Sequence, residues 1–226
     1  MLQALYNLFY PAFCLCCESA LSRQDALLCT RCLHELPLTH FHHYNDDSIK
    51  KVLYGRVTLE YATALFHYSK KSAVQQLIHQ LKYKGQEQVS AFLGEWLGNE
   101  LKNEEAYQGI DLVIPVPLHP SKRRQRGYNQ VSGFGQEIAK ALKIDYREDV
   151  LVKKQATGAQ ALKARFNRSG TLLHTFEVPE VSSLAGKHLL LVDDLITTGA
   201  TVEACARALS AIPDLRLSLA TMAMAR

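Results

Sequence analysis

The segment Leu189–Val202, LLLVDDLITTGATV, constrains the fold more than any other stretch of the chain. Aliphatic residues run directly into two adjacent aspartates, and a turn of threonines around one glycine follows. A short apolar run bounded by polar residues has the form of a strand buried on both faces, as in a parallel sheet. Asp193 and Asp194 are then expected at its C-terminal end, the edge where open α/β sheets bind ligands. Residues Ala200–Ala211 have helical composition, with Val202, Ala206, Ala208 and Leu209 available for a buried stripe. Ile196–Thr201 therefore reads as the turn between strand and helix.

The rest of the chain alternates in the same way. Tyr61–Tyr68 reads as a strand, and Lys70–Gly85 as a helix with Val74, Leu77, Ile78 and Leu81 at helical spacing. Val89–Leu101 repeats the helical pattern through Val89, Phe92, Leu93, Trp96 and Leu97. Asp111–Pro117 is a strand broken by prolines, Gly133–Lys143 a helix, and Asp149–Lys154, Lys187–Asp194 and Leu215–Ala225 are strands. This alternation predicts an α/β domain with a mostly parallel sheet and helices on both faces. Three parts are expected: a cysteine-rich unit at 1–40, a polar linker at 41–59 and the α/β domain at 60–226.

A chain of 226 residues with 47% hydrophobic and 21% charged residues can bury a real core. It contains no apolar run of the roughly 18 residues that a membrane span requires. Its start lacks a basic n-region and a small-residue cleavage site. Leu2, Leu5, Leu8 and Phe9 fit a short amphipathic helix instead, and a cytoplasmic protein without membrane insertion is expected. The formal net charge of +4 does not by itself point to nucleic acid.

Five of the six cysteines lie between Cys14 and Cys32, which in a reducing compartment favours metal over disulfides. Cys14, Cys17, Cys29 and Cys32 form two C-x2-C pairs separated by eleven residues, the pattern of a closed four-thiolate zinc site. Such a site is structural, because it leaves no open coordination position. Cys16 is an alternative ligand without a C-x2-C partner of its own. With four thiolates present, His34, His40, His42 and His43 read as surface or linker histidines, and Cys205 as a small buried residue.

The turn after the aspartates has its own chemistry. Thr197, Thr198 and Thr201 offer hydroxyls, Gly199 allows close backbone approach, and the helix from Ala200 points its positive end at the same spot. Together with Ile196 these residues make a cradle for a phosphate monoester. Two carboxylates nearby can accept hydrogen bonds from a vicinal diol. Phosphate at one end and diol at the other describe ribose 5-phosphate.

On these residues, Leu190–Val202 resembles the phosphoribosyl-pyrophosphate (PRPP) motif of type I phosphoribosyltransferases. With the four-cysteine start, Leu81–Gly85 (LKYKG), Ile114–Gln130 (IPVPLHPSKRRQRGYNQ) and Thr157–Asn167 (TGAQALKARFN), nearly the whole chain resembles the ComF family, also described as GntX-like. The resemblance implies a type I phosphoribosyltransferase-like sheet and a zinc unit. It assigns the ribose hydroxyls to Asp193 and Asp194, and the 5-phosphate to Thr197, Thr198, Gly199, Ala200 and Thr201. It implies a Mg²⁺ ion held mostly by PRPP itself, a mobile lid near Lys153–Asn167, and a role in DNA uptake and natural transformation. Competence or recombination proteins then become possible partners. The alternative is an active phosphoribosyltransferase that passes ribose 5-phosphate to a nitrogenous acceptor. No general base stands out, and no hood for a substrate base is recognisable, so turnover stays open.

Lys122, Arg123, Arg124 and Arg126 lie within five positions, next to Tyr128, and are expected on a loop on the ligand side of the sheet. Three readings stand: a solvated basic loop, a pyrophosphate clamp, or contact with the backbone of single-stranded DNA with Tyr128 stacking on a base. Lys82, Lys84, Lys153, Lys154, Lys163, Arg165 and Arg168 could extend the positive surface.

Overall fold

A computed structural model describes residues 11–23, 26–153 and 176–225. The expected amphipathic helix at the start and most of the expected lid, with Lys154, Lys163, Arg165 and Arg168, lie outside the described residues.

Short helices α1 (Thr30–His34), α2 (Phe41–Tyr44) and α3 (Ser48–Val52) precede strand β1 (Ala62–Tyr68). Then come α4 (Ala73–Tyr83), α5 (Gln88–Leu101), α6 (Glu105–Gln108), β2 (Leu112–Pro115), α7 (Pro120–Arg126), α8 (Ser132–Leu142) and β3 (Asp145–Tyr146). The chain continues through β4 (Val152–Lys153), β5 (Phe176–Glu177), β6 (His188–Ile196), α9 (Ala200–Leu209) and β7 (Arg216–Ala225). The main sheet has the order β1-β7-β6-β2-β3, and every neighbouring pair in it is parallel. The mostly parallel sheet flanked by helices is the architecture expected from the alternating pattern. The strand expected at Asp149–Lys154 shrinks to β4, which pairs antiparallel with β5 outside the main sheet.

The order of the strands fixes where a ligand can enter. From β2 the chain passes through α7 and α8 to β3, on one side; from β6 it passes through α9 to β7, on the other. Right-handed crossovers running in opposite directions place their helices on opposite faces. Accordingly Phe134 and Ile138 of α8 pack with Val113, Leu190 and Val192, whereas Val202, Cys205 and Leu209 of α9 pack with Leu112, Leu189 and Leu191. The sheet is thus covered on both sides, which explains its uninterrupted aliphatic strands. Between β2 and β6 the direction of winding reverses, and the carboxyl ends of these two strands open a crevice.

Local sequence explains the helices beside it. Ser72 caps α4 by accepting from the Gln75 N–H at 3.2 Å, and Val74, Leu77, Ile78 and Leu81 form its buried stripe. Helix α5 lies directly against α8: a Cβ on Gly94 would sit 2.4 Å from the Phe134 carbonyl oxygen, so only glycine permits this approach. Residues 41–59, expected as a polar linker, include α2 and α3, whose Phe41 and Ile49 are buried together with Leu53 in the core layer that α9 also enters. The cysteine-rich stretch packs through Cys14, Leu28, Cys32 and Leu36 onto the layer containing α4, α5 and α8.

Candidate functional site

Strand β6 does not end at the aspartates. Opposite it, β7 extends far enough that Leu195 pairs with Ala223 and Ile196 with Met224. These pairings carry the strand past both carboxylates, so Ile196 belongs to the strand and the turn itself is Thr197–Gly199. Successive strand residues point to opposite faces. Asp194 faces α4 and α8, where the Lys82 ammonium lies 2.9 Å from its Oδ1 and the Gln130 amide nitrogen donates to its Oδ2 at 2.8 Å. Asp193 lies toward the α9 face, and its Oδ1 accepts from the Asp194 N–H at 2.8 Å. Burial, reinforced by the neighbouring Asp194 carboxylate, pushes the Asp193 carboxyl well above the usual carboxylate range. Burial also pushes the Cys205 thiol up, and Asp193 adds to this. On β4, burial holds the Lys153 ammonium below the usual lysine range, with Asp193 pulling the other way.

The turn is braced from behind. Gly199 has φ +74, in the left-handed region, and a Cβ there would come within 2.4 Å of Leu53 Cδ2. Arg56 donates from Nη2 to the Thr198 carbonyl at 2.8 Å and from Nη1 to Glu203 Oε2 at 2.8 Å. Thr197 and Thr198 face solvent, while Ala200 and Thr201 open α9 half-buried. The first N–H groups of α9 have no intrahelical partner and can receive an anion. Leu53 and Arg56 escaped the sequence reading because their contacts with the turn span more than a hundred residues.

Across the crevice, the basic run is a helix, α7, and not the expected loop. Pro120 stands in its first turn, the His119 side chain accepts from the Ser121 N–H, and Gly127 closes it in the left-handed conformation. None of its residues is buried, so it has no apolar stripe that could have announced it. Lys122, Arg123 and Arg124 are exposed, and Arg123 reaches Glu148 at 3.3 Å. Arg126 donates to Gln130 Oε1 at 2.8 Å and lies over the Tyr83 ring at 5.5 Å. The Tyr128 hydroxyl donates to the Leu81 carbonyl, which pins the ring expected to stack on a base, whereas Tyr83 is 67% exposed. Asn129 donates to the Val116 carbonyl at 3.1 Å and so ties the loop after β2. A cavity of about 420 Å³ separates α4 from α7, lined by Lys82, Tyr83, Gly85, Lys122, Arg126 and Tyr128 among others. Lys82 thus touches both Asp194 and a cationic hollow. Gln130 could have been suspected from sequence only as a polar residue beside the basic run.

The cysteines form a second centre. The sulfurs of Cys14, Cys17, Cys29 and Cys32 all lie within 4.8 Å of one another. The Cys29 N–H donates to Cys14 Sγ and the Cys32 N–H to Cys29 Sγ, both at 3.4 Å. Four converging thiols supported by backbone donors fit a structural zinc ion. Cys16 turns away, its thiol directed at the Ala73 carbonyl 3.6 Å away.

No protein-family model matches the chain. It is 29% identical over 204 residues to the DNA utilization protein YhgH of Escherichia coli K12, covering 87% of this chain and 83% of that protein. It is 32% identical over 139 residues to competence protein ComFC of Streptococcus pneumoniae, covering 62% of this chain and 57% of that one. A similar stretch is 26% identical to competence protein F of Haemophilus influenzae. Among solved structures, the glutamine PRPP amidotransferase of B. subtilis superposes at a TM-score of 0.37 with 21% identity, covering 58% of this chain and 26% of that one. At that TM-score the superposition carries no argument about the site. The chain is thus a homologue of proteins named for DNA utilization and for competence.

Proposed function

We propose that this ComF-like homologue binds PRPP with Mg²⁺ in the crevice between β2 and β6 and serves DNA uptake and natural transformation, with single-stranded DNA on the cationic face of α7. One observation carries the reading: a turn that opens a helix, its glycine locked by Leu53, lies at the winding reversal beside two buried carboxylates. The 5-phosphate meets the N–H groups and hydroxyls of Thr197–Thr201. The Asp194 carboxylate, oriented by Lys82 and Gln130, still has lone pairs free to accept from ribose hydroxyls. Lys82, Lys122 and Arg126 present cations to the pyrophosphate or to nucleic-acid phosphates. Mg²⁺, which takes hard oxygen ligands, would be held mostly by PRPP itself with the Asp194 carboxylate beside it, and would neutralise phosphate charge. No described residue is placed as a general base, so binding rather than turnover is proposed.

Calorimetry with PRPP and Mg²⁺ tests this. The parent gives a saturable binding heat, and Asp194→Asn, which keeps the shape but removes the charge, weakens binding at least about tenfold, the loss of one charge-assisted contact. Equal affinity in the two proteins overturns the reading.

A further inference from the structure

We propose that His40, His42 and Glu100 form a second metal site, separate from the cysteine cluster, for a divalent transition ion such as Zn²⁺. One ligand atom from each of the three lies within 4.8 Å of the others. His42 is 4% exposed, and its Nε2 stands 2.9 Å from Glu100 Oε2. Both atoms are buried, and although they form an ion pair with each other, neither makes a hydrogen bond of good geometry. A buried pair whose atoms lack well-formed hydrogen bonds repays little of its desolvation cost. A cation taking a lone pair from each relieves both. Ligands sharing one tetrahedral ion at Zn–N and Zn–O distances near 2 Å stand about 3 Å apart, as His42 Nε2 and Glu100 Oε2 do.

The surroundings orient the ligands as metal sites do. His42 Nδ1 is 3.2 Å from Thr63 Oγ1 on β1, which fixes the ring and leaves Nε2 for the ion. Trp96 donates from Nε1 to Glu100 Oε1 at 2.9 Å and holds the carboxylate. Two imidazoles and one carboxylate suit zinc with a fourth position open. His43, whose ring centre is 5.1 Å from that of His42, pairs separately with Glu104. The ligands join the start of residues 41–59 to the end of α5, so the ion fastens the segment that carries Leu53 and Arg56 to the phosphate turn.

The full chain, stripped by chelator, reloaded with Zn²⁺ and desalted, provides the test. The parent retains one metal equivalent more than Glu100→Gln, which preserves the Trp96 acceptor, and one more than His40→Ala. Reloading with Co²⁺ identifies the missing equivalent: the variants keep the near-ultraviolet thiolate-to-cobalt absorption of the cysteine cluster in full. Equal metal content in the parent and either variant overturns the proposal, and so does a loss of the thiolate absorption.

Discussion

The β6 wall of the crevice is held from behind by packed side chains, whereas the β2 wall is held by helix caps and surface bonds. Gly199 rests on Leu53, and Arg56 ties Thr198 to the helix that follows. Helix α7, facing it, buries none of its residues and depends on Pro120, His119 and Gly127 for its ends. A turn so braced would meet the proposed ligand without reorganising, which lowers the cost of binding. An exposed helix of cations contributes long-range, salt-sensitive attraction instead.

Five substitutions, combined in three experiments, probe this contrast. Gly199→Ala has the largest effect: the left-handed backbone and the overlap with Leu53 together cost about 3 kcal/mol, read by denaturant unfolding. Adding Leu53→Ala makes room, so the double variant is more stable than the sum of the single losses, by about 0.5 kcal/mol or more. Strict additivity would mean that Leu53 does not brace the turn. A smaller effect follows from Asp193, whose folded carboxyl binds its proton more tightly than the roughly 3.9 of an unfolded chain. The stabilisation from that proton is complete below about pH 4 and is lost as pH rises toward neutrality and through the folded value. Asp193→Asn removes this decline, and parallel stability–pH curves for parent and variant would contradict it. The smallest change in stability comes from Lys122→Ala with Arg124→Ala, within about 0.5 kcal/mol of the parent. The same pair reduces the salt dependence of single-stranded DNA binding by a slope of about 1.4. An unchanged slope would remove α7 from the DNA interface.

What could be foreseen from the sequence divides along the same line. Strand β6 was legible as an unbroken aliphatic run, and helices α4 and α5 because their apolar residues repeat at helical spacing; all go on to form the core. The convergence of the four cysteines was legible because the spacing of a metal knuckle is local. Helix α7 was not, since only its Pro and Gly punctuation marks it and no periodic stripe exists. Residues 41–59 seemed a linker because Phe41, Ile49 and Leu53 are sparse among polar neighbours, and their partners lie far along the chain. His42 read as a surface histidine for the same reason: Thr63 and Glu100, which surround it, are remote in sequence. The carboxylates could be located on β6, but not their separation onto opposite faces, because that required knowing how far β7 extends.

The crevice draws on four stretches of chain: Leu53–Arg56, Lys82–Tyr83, Arg126–Gln130 and Asp193–Thr201. Contacts of such long sequence separation form late, after loop closure has been met. The proposed sugar-phosphate site is therefore complete only when all four stretches have folded together. By mass action, the ligand proposed for this site would, at a hundred times its dissociation constant, add about 2.7 kcal/mol to global stability and so couple the abundance of the folded protein to the supply of that molecule.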